Sequence, residues 1–230
     1  MPSSPPAGHA KSRQPPSSAE LTRAALIRAG LKLFGANGFE GTSTRDIAAL
    51  AKANIGSIAY HFGGKEGLRA ACADYIVALM RGIAAQAIGP NAAGDAAAED
   101  AAAQLSAALD RMGTFIIARP ESGEIVQFVL RELSQPTAAL DRIYAGVFEP
   151  THRRLCQLWE QATGESAESE ATKIRVFTMI GQIIYFRIAR EAVLRRLGWA
   201  TLGPEQAHAV LSVAQQNLAA VIRASQGSEP

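Results

Sequence analysis

Residues Gly41–Leu68 read GTSTRDIAALAKANIGSIAYHFGGKEGL, and the punctuation of this stretch decides the fold. Gly41-Thr42-Ser43-Thr44 gathers residue types that cap helix N-termini, and Ser43 with Asp46 three positions on has the spacing of a capping box, Asp replacing the usual Glu. The helix opened here is short and ends near Ala51. Lys52-Ala53-Asn54 is a tight connection into a second short helix, Ile55–Phe62, which Gly63-Gly64 breaks before Lys65-Glu66 opens a longer helix reaching about Ala87. Upstream, a helix is predicted from about Ala19 to Asn37: Ala24, Ile27, Leu31 and Phe34 fall on one face, and Asn37-Gly38 is a left-handed stop. Two short helices joined by a three-residue turn, behind a bracing helix, have the spacing of a helix-turn-helix. The glycine common in such turns falls on Lys52, where a left-handed backbone costs a non-glycine residue on the order of 1 kcal/mol.

Outward from this stretch the chain is helical throughout. With 230 residues, 48% hydrophobic and 19% charged, it can bury a sizeable core. The Pro- and Ser-rich residues 1–18 cannot, and they read as a mobile tail. Gly89–Gly94 (GPNAAG) is a linker candidate. Leu105, Leu109, Met112 and Phe115/Ile116 form an apolar stripe ending before Arg119-Pro120, and Glu124–Leu133 is a short helix. Pro136 separates that helix from a longer one reaching about Thr163, kinked or divided at Pro150. Glu170–Leu197 is predicted as one long apolar helix, and Gly203-Pro204 starts a last helix with Ala207, Val210/Leu211, Ala214, Leu218 and Val221/Ile222 on one face. No stretch alternates with period two, so the class is all-α: an N-terminal helix-turn-helix unit over residues 19–65 and a second helical unit over 66–230.

Composition narrows the function classes. Cys72 and Cys156 are too few for a disulfide scaffold or a thiolate zinc site, and no Gly-rich phosphate loop or HExxH pattern occurs. No metal or cofactor is expected. Residues 1–20 lack the apolar core of a secretory signal, and Arg175, Gln182 and Arg187 interrupt the most apolar late stretch, so the expectation is a soluble, cytoplasmic protein with no membrane partner. Residues 1–81 carry ten Lys/Arg against five Asp/Glu, a balance of +5, while residues 82–230 carry thirteen against sixteen, a balance of −3. Such a split fits a polyanion-binding module joined to something else, and it also fits ordinary scatter.

Arg45-Asp46-Ile47-Ala48 behind the Thr-rich cap, followed by Tyr60-His61-Phe62-Gly63-Gly64-Lys65-Glu66, resembles the TetR family of bacterial transcription regulators over Ala19 to about Leu79. Ala53-Asn54-Ile55, Arg131-Glu132, Pro136-Thr137, Met179-Ile180-Gly181-Gln182, Phe186-Arg187 and Leu197-Gly198-Trp199 resemble the CecR type of that family, with its C-terminal ligand-binding domain. The resemblance implies a dimeric repressor, released from a palindromic (inverted-repeat) operator in double-stranded DNA by a small-molecule effector. The alternative is a DNA-binding interaction protein acting through a protein partner, with no inducer.

For DNA contacts the candidates are Ser43, Thr44, Arg45, Ile55, Gly56, Ser57, Ala59, Tyr60, His61 and Lys65. Ser43 and Thr44 stand at a helix N-terminus suited to a phosphate, or act as caps alone. Arg45 is long enough for a guanine edge or a second phosphate, and Ile55 and Ala59 suit thymine methyls. Gly56 permits close backbone approach and Ser57 offers a short donor and acceptor, while the resemblance puts Tyr60, His61 and Lys65 at base and phosphate contacts. Ile47, Ala48, Ala53, Ile58 and Phe62 face the core. For the ligand, polar or aromatic groups on apolar helices are the candidates: Gln127, Arg131, Tyr144, His152, Trp159, Gln182 and Tyr185. Arg187 is expected to pair with Glu132 or Glu191, and the last two helices, Leu218 included, to form the two-fold interface. Cys156 lies one helical turn after His152, a thiol–imidazole pair with no third catalytic member.

Overall fold

The computed structural model describes residues 17–85, 96–120 and 122–226, and every regular element among them is helical. The tail predicted over 1–18, apart from its last two residues, and the linker candidate at 89–94 lie outside the described residues. Helix α1 (Ser18–Asn37) opens on a full capping box: the Ser17 hydroxyl accepts from the Glu20 N–H and the Glu20 carboxylate accepts from the Ser17 N–H at 2.7 Å. Hydrogen bonds to the carboxylate from the Ser17 backbone N–H and, second, from the Ser17 side chain hold the Glu20 carboxyl below its usual range. α1 ends at Gly38, whose φ of 76° a side chain would resist. Helices α2 (Thr44–Ala51) and α3 (Gly56–Phe62) follow, then α4 (Lys65–Ala85) after the two positive-φ glycines Gly63 and Gly64.

Helix α5 (Ala96–Gly113) widens at 114–118 into a π turn, carrying Phe115, Ile116 and Ile117 inward, before α6 (Ser122–Ser134). The helix predicted from Pro136 to Thr163 is divided, though ahead of Pro150: α7 (Ala138–Ile143) runs into a second π turn at 144–148, and α8 (Glu149–Thr163) starts with Pro150 in its first turn. The physical reason is that proline lacks an N–H and its ring crowds the carbonyl four residues back, so the five-residue register ending at the Glu149 N–H absorbs the break. Glu170–Leu197 is two helices, α9 (Glu170–Ile188) and α10 (Arg190–Leu197), bent at Ala189 without a proline or glycine. α11 (Pro204–Gln226) keeps its predicted start, and Ala207, Val210, Leu211, Ala214, Leu218 and Ile222 of its apolar face are buried within the chain.

The helix-turn-helix is held from two sides. α1 packs along α6, and α4 packs against α1 and α7. A side chain at Gly35 would meet the Phe128 backbone N at 3.0 Å, so this glycine sets how closely α1 approaches α6. Between α4 and α6 lies a desolvated ion pair: Arg69 Nε donates to Glu132 Oε1 at 2.8 Å, and the Thr137 hydroxyl donates to Glu132 Oε2 at 2.5 Å. Glu132 is 2% exposed. Leu105, Leu109, Leu158, Trp159, Val176 and Ile183 fill the interior among α5, α8 and α9.

Candidate nucleic-acid interface and effector cavity

Helices α2 and α3 bury one side each and expose the other. Ile47, Ala48 and Ile58 are fully buried and Ala53 and Phe62 pack half-buried against them, as their spacing predicts. Of the ten candidate DNA contacts, Ser43, Arg45, Ile55, Gly56, Ala59 and Tyr60 are exposed, and Thr44, Ser57, His61 and Lys65 are half-buried. Tyr60 is the most exposed large hydrophobic side chain among the described residues, at 83%, and its ring stands edge-on to that of His61, 4.9 Å between centroids. A hydrophobic or aromatic residue so placed on a short helix contributes little to the fold.

Backbone geometry fixes how this face is presented. The Ser43 hydroxyl accepts from the Asp46 N–H at 3.1 Å and donates to Asp46 Oδ2 at 2.6 Å, so its side chain is committed to the cap. The turn keeps its left-handed residue despite the missing glycine: Lys52 has φ 53° and ψ 41°. Lys52 N–H donates to the Ala49 carbonyl and Ala53 N–H to the Ala48 carbonyl, the two bonds of a Schellman ending, which offset the strain. Asn54 then starts α3, its side-chain oxygen accepting from the Gly56 N–H at 2.8 Å.

Lys65 has a neighbour the sequence reading missed. Its ammonium sits 4.1 Å from the centre of the Phe39 ring, the Arg69 guanidinium lies 4.7 Å from the same ring, and Phe39 stacks on Phe34 of α1. The first turn of α4, and with it the end of α3, is thereby seated on α1. Phe39, one residue past the Gly38 stop, is the signal that could have pointed to it.

The seven candidate ligand residues do not gather at one place. Arg131 donates to the Ala36 carbonyl at 3.0 Å and so closes the end of α1, while Gln127 lies against Gly35 on the same interface. Tyr144 and Tyr185 are exposed, and Gln182 accepts from Asn217 across α9 and α11 at 3.2 Å. Trp159 is core, its indole N–H donating to Glu165, which also pairs with Arg175. His152 stacks on Phe177 at 4.0 Å, and its Nε2 lies 3.2 Å from the Lys173 carbonyl. Its Nδ1 is 3.7 Å from Cys156 Sγ, but burial pushes that thiol's pKa up, the opposite of what a nucleophile or redox sensor needs.

Arg131 lines a cavity of about 420 Å³ with Phe39, Glu66 and Arg69, and a second cavity, lined by none of the seven, lies elsewhere. About 510 Å³ opens where α1, α4, α5 and α6 meet, lined by Leu31, Leu79, Ile83, Phe115 and Ile125, with Tyr75, Thr114, Arg28, Arg111, Arg119, Asp110 and Glu124. Two further expectations are corrected. Arg187 pairs with neither Glu132, taken by Arg69 and Thr137, nor Glu191, which pairs with Arg195; it lies half-buried beside Gly123, with burial and the nearby Arg190 lowering its pKa. Leu218 is buried within its own chain, because α11 turns that stripe toward α5 and α9. On these two helices the large apolar residues left exposed are Ile174, Phe177, Tyr185 and Ile188 of α9, and Val213 and Val221 of α11.

The chain is similar to known proteins along most of its length. A family model described as bacterial regulatory proteins, tetR family, matches residues 26–72, and one described as the C-terminal domain of the HTH-type transcriptional dual regulator CecR matches residues 101–225. The HTH-type transcriptional dual regulator CecR of Shigella flexneri is 31% identical over 191 residues, 81% of this chain and 85% of that protein. The HTH-type transcriptional regulatory protein RaaS of Mycobacterium tuberculosis is 43% identical over 75 residues, 32% of this chain and 35% of its own. In fold, the chain is similar to a TetR-like transcriptional regulator from Rhodococcus sp. RHA1 (TM-score 0.62, 19% identity, 90% and 99% of the two chains). It is also similar to AibR in a complex with isovaleryl coenzyme A and operator DNA (TM-score 0.56, 18% identity, 72% and 85%). Among the described residues no helix is long and apolar enough to cross a membrane.

Proposed function

The chain belongs to the TetR family of bacterial regulatory proteins, with a C-terminal domain of the CecR type, and from that premise we propose that it is a dimeric repressor released from an inverted-repeat operator by a small molecule. As a member of that family it is a DNA-binding transcriptional regulator and not an enzyme. Residues 19–65 are the DNA-reading unit and residues 66–230 the regulatory and dimerising one. Arg45 and the exposed face of α3 enter the major groove, with Ile55 and Ala59 against thymine methyls and Tyr60 and His61 beside the bases and backbone. The α2 N-terminus, with Thr44 and its orphan N–H groups, and Lys65 hold phosphates. One unit spans too few base pairs for specificity, so two are needed.

The second copy binds the apolar stripe of α9 and α11. Ile174, Phe177, Tyr185 and Ile188 recur along one side of α9, and Gly181 among them has open space where a side chain would stand. A second α9–α11 pair packed there completes a four-helix bundle and removes the stripe from water.

The observation that carries the switch is the position of the cavity. Tyr75, Leu79 and Ile83 of α4 form one wall, and only the two residues Gly63-Gly64 separate α4 from the end of α3. A ligand that prefers a wider cavity shifts α4, and α4 shifts the recognition helix, so binding and release are two states of one element. The testing experiment is selection of bound sequences from a random duplex library with the purified protein at near-physiological salt. Enrichment of an inverted repeat is expected and supplies the probe for effector screening; binding without enrichment would refute the proposed readout. The alternative, action through a protein partner without a small-molecule inducer, predicts operator binding that no small molecule releases.

A further inference from the structure

We infer that the cavity at the junction of α1, α4, α5 and α6 takes an amphipathic organic monoanion, its apolar body inside and its acid group on Arg28. This rests on the effector-release reading above and narrows the effector's chemistry. A volume of about 510 Å³ lies within the range of sites for small organic ligands, roughly 300–1,000 Å³. Leu31, Leu79, Ile83, Phe115 and Ile125 supply an apolar lining from four elements, which suits a chain or ring rather than a sugar or nucleotide.

Charge selects the head group. Three guanidiniums (Arg28, Arg111, Arg119) and two carboxylates (Asp110, Glu124) line the walls, leaving a net charge of +1. Arg111 and Arg119 are already engaged in contacts of their own. Arg28 is exposed and makes no ion pair or hydrogen bond among the described residues, and its place on α1 is one turn before Leu31. A neutral ligand gives this exposed guanidinium no counter-charge, and a cation would add to the excess. A single carboxylate or similar acid neutralises the site through charge-assisted, forked hydrogen bonds.

The test is calorimetric titration of the full-length protein with three probes of one chain length: octanoate, octan-1-ol and octyltrimethylammonium. Octanoate is expected to bind at least about tenfold tighter than the other two, and Arg28→Gln to remove about tenfold of that affinity while leaving octanol binding unchanged. Leu79→Trp, which fills the cavity, is expected to abolish all binding. Equal binding of octanoate and octanol, tighter binding of the ammonium, or octanoate binding indifferent to Arg28→Gln would each overturn the inference. Its failure is distinguishable from failure of the release reading: octanoate bound through Arg28 without any change in operator affinity refutes release and leaves the site standing. Operator binding lost to some other effector, with octanoate not bound, refutes the site alone.

Discussion

Glu132→Ala removes one half of the ion pair that joins α4 to α6. The carboxylate is 2% exposed and the Arg69 side chain 11%, so neither charge is solvated by water to any extent. With the charge centres about 4 Å apart, their attraction at an effective dielectric of about 20 is roughly 4 kcal/mol. Taking away the acid also strands the Arg69 guanidinium in its buried place, and a buried pair broken from one side costs about 3–5 kcal/mol. The Thr137 hydroxyl, which donates to the other carboxylate oxygen at 2.5 Å, loses its acceptor as well. Out of a total folding stability of about 5–15 kcal/mol, this is a large share. Urea unfolding followed by far-UV circular dichroism reads the loss as a lowered midpoint at unchanged slope. Arg69→Met combined with Glu132→Leu should recover most of it, because an apolar pair of similar volume incurs no desolvation cost. A Glu132→Ala loss under about 1 kcal/mol, or a double variant no better than the single, would refute the account of this contact as a desolvated tie. A surviving fold with impaired operator binding would in turn locate the tie in the coupling between α4 and the recognition helix.

Four other outcomes are expected. Lys52→Gly relieves the left-handed backbone, a gain of about 1–2 kcal/mol less about 0.5–1 kcal/mol of chain entropy, and should raise Tm by about 2 °C; a lower Tm would show the Lys52 side chain to be stabilising. Val221→Asp should give monomers in light scattering with unchanged circular dichroism, whereas Leu218→Asp, buried in its own subunit, should unfold the domain; a surviving Val221→Asp dimer places the interface elsewhere. Arg45→Ala should relax base preference, and Lys65→Ala should weaken all duplexes alike and flatten the salt slope by about one; a Lys65→Ala loss confined to one sequence contradicts a phosphate contact. Burial pushes the Cys72 thiol far above its ordinary value of 9.0, so the folded chain keeps a proton that the unfolded chain releases. That thiol's contribution is complete below pH 9 and is lost as pH rises beyond it, so the urea midpoint should fall more between pH 8 and pH 10 in the native chain than in Cys72→Ala; equal falls would refute it.

The sequence by itself determined the helix-turn-helix and its exposed face. Capping residues, positive-φ glycine stops and apolar periodicity act within a few residues, so Ser43, Gly63-Gly64, Ile47 and Ile58 announce their roles without reference to the rest of the chain. The same local rules missed the bend at Ala189, where no breaking residue stands, and placed the Pro150 break a few residues too late, because a π turn ahead of the proline absorbs it. They also could not say whether the apolar stripe of α11 meets its own core or a second chain, and so put Leu218 at an interface although it is buried in its own chain. Only the tertiary structure decided the partner of Arg69, the place of Arg187 beside Gly123, the seating of Lys65 on Phe39, and the cavity. Its walls come from α1, α4, α5 and α6, distant along the chain, and a polar side chain on an apolar helix looks the same in sequence whether it faces a ligand, a neighbouring helix or a buried counter-charge. Local conformation follows from neighbours in sequence, whereas a pocket is the space left over when whole helices pack.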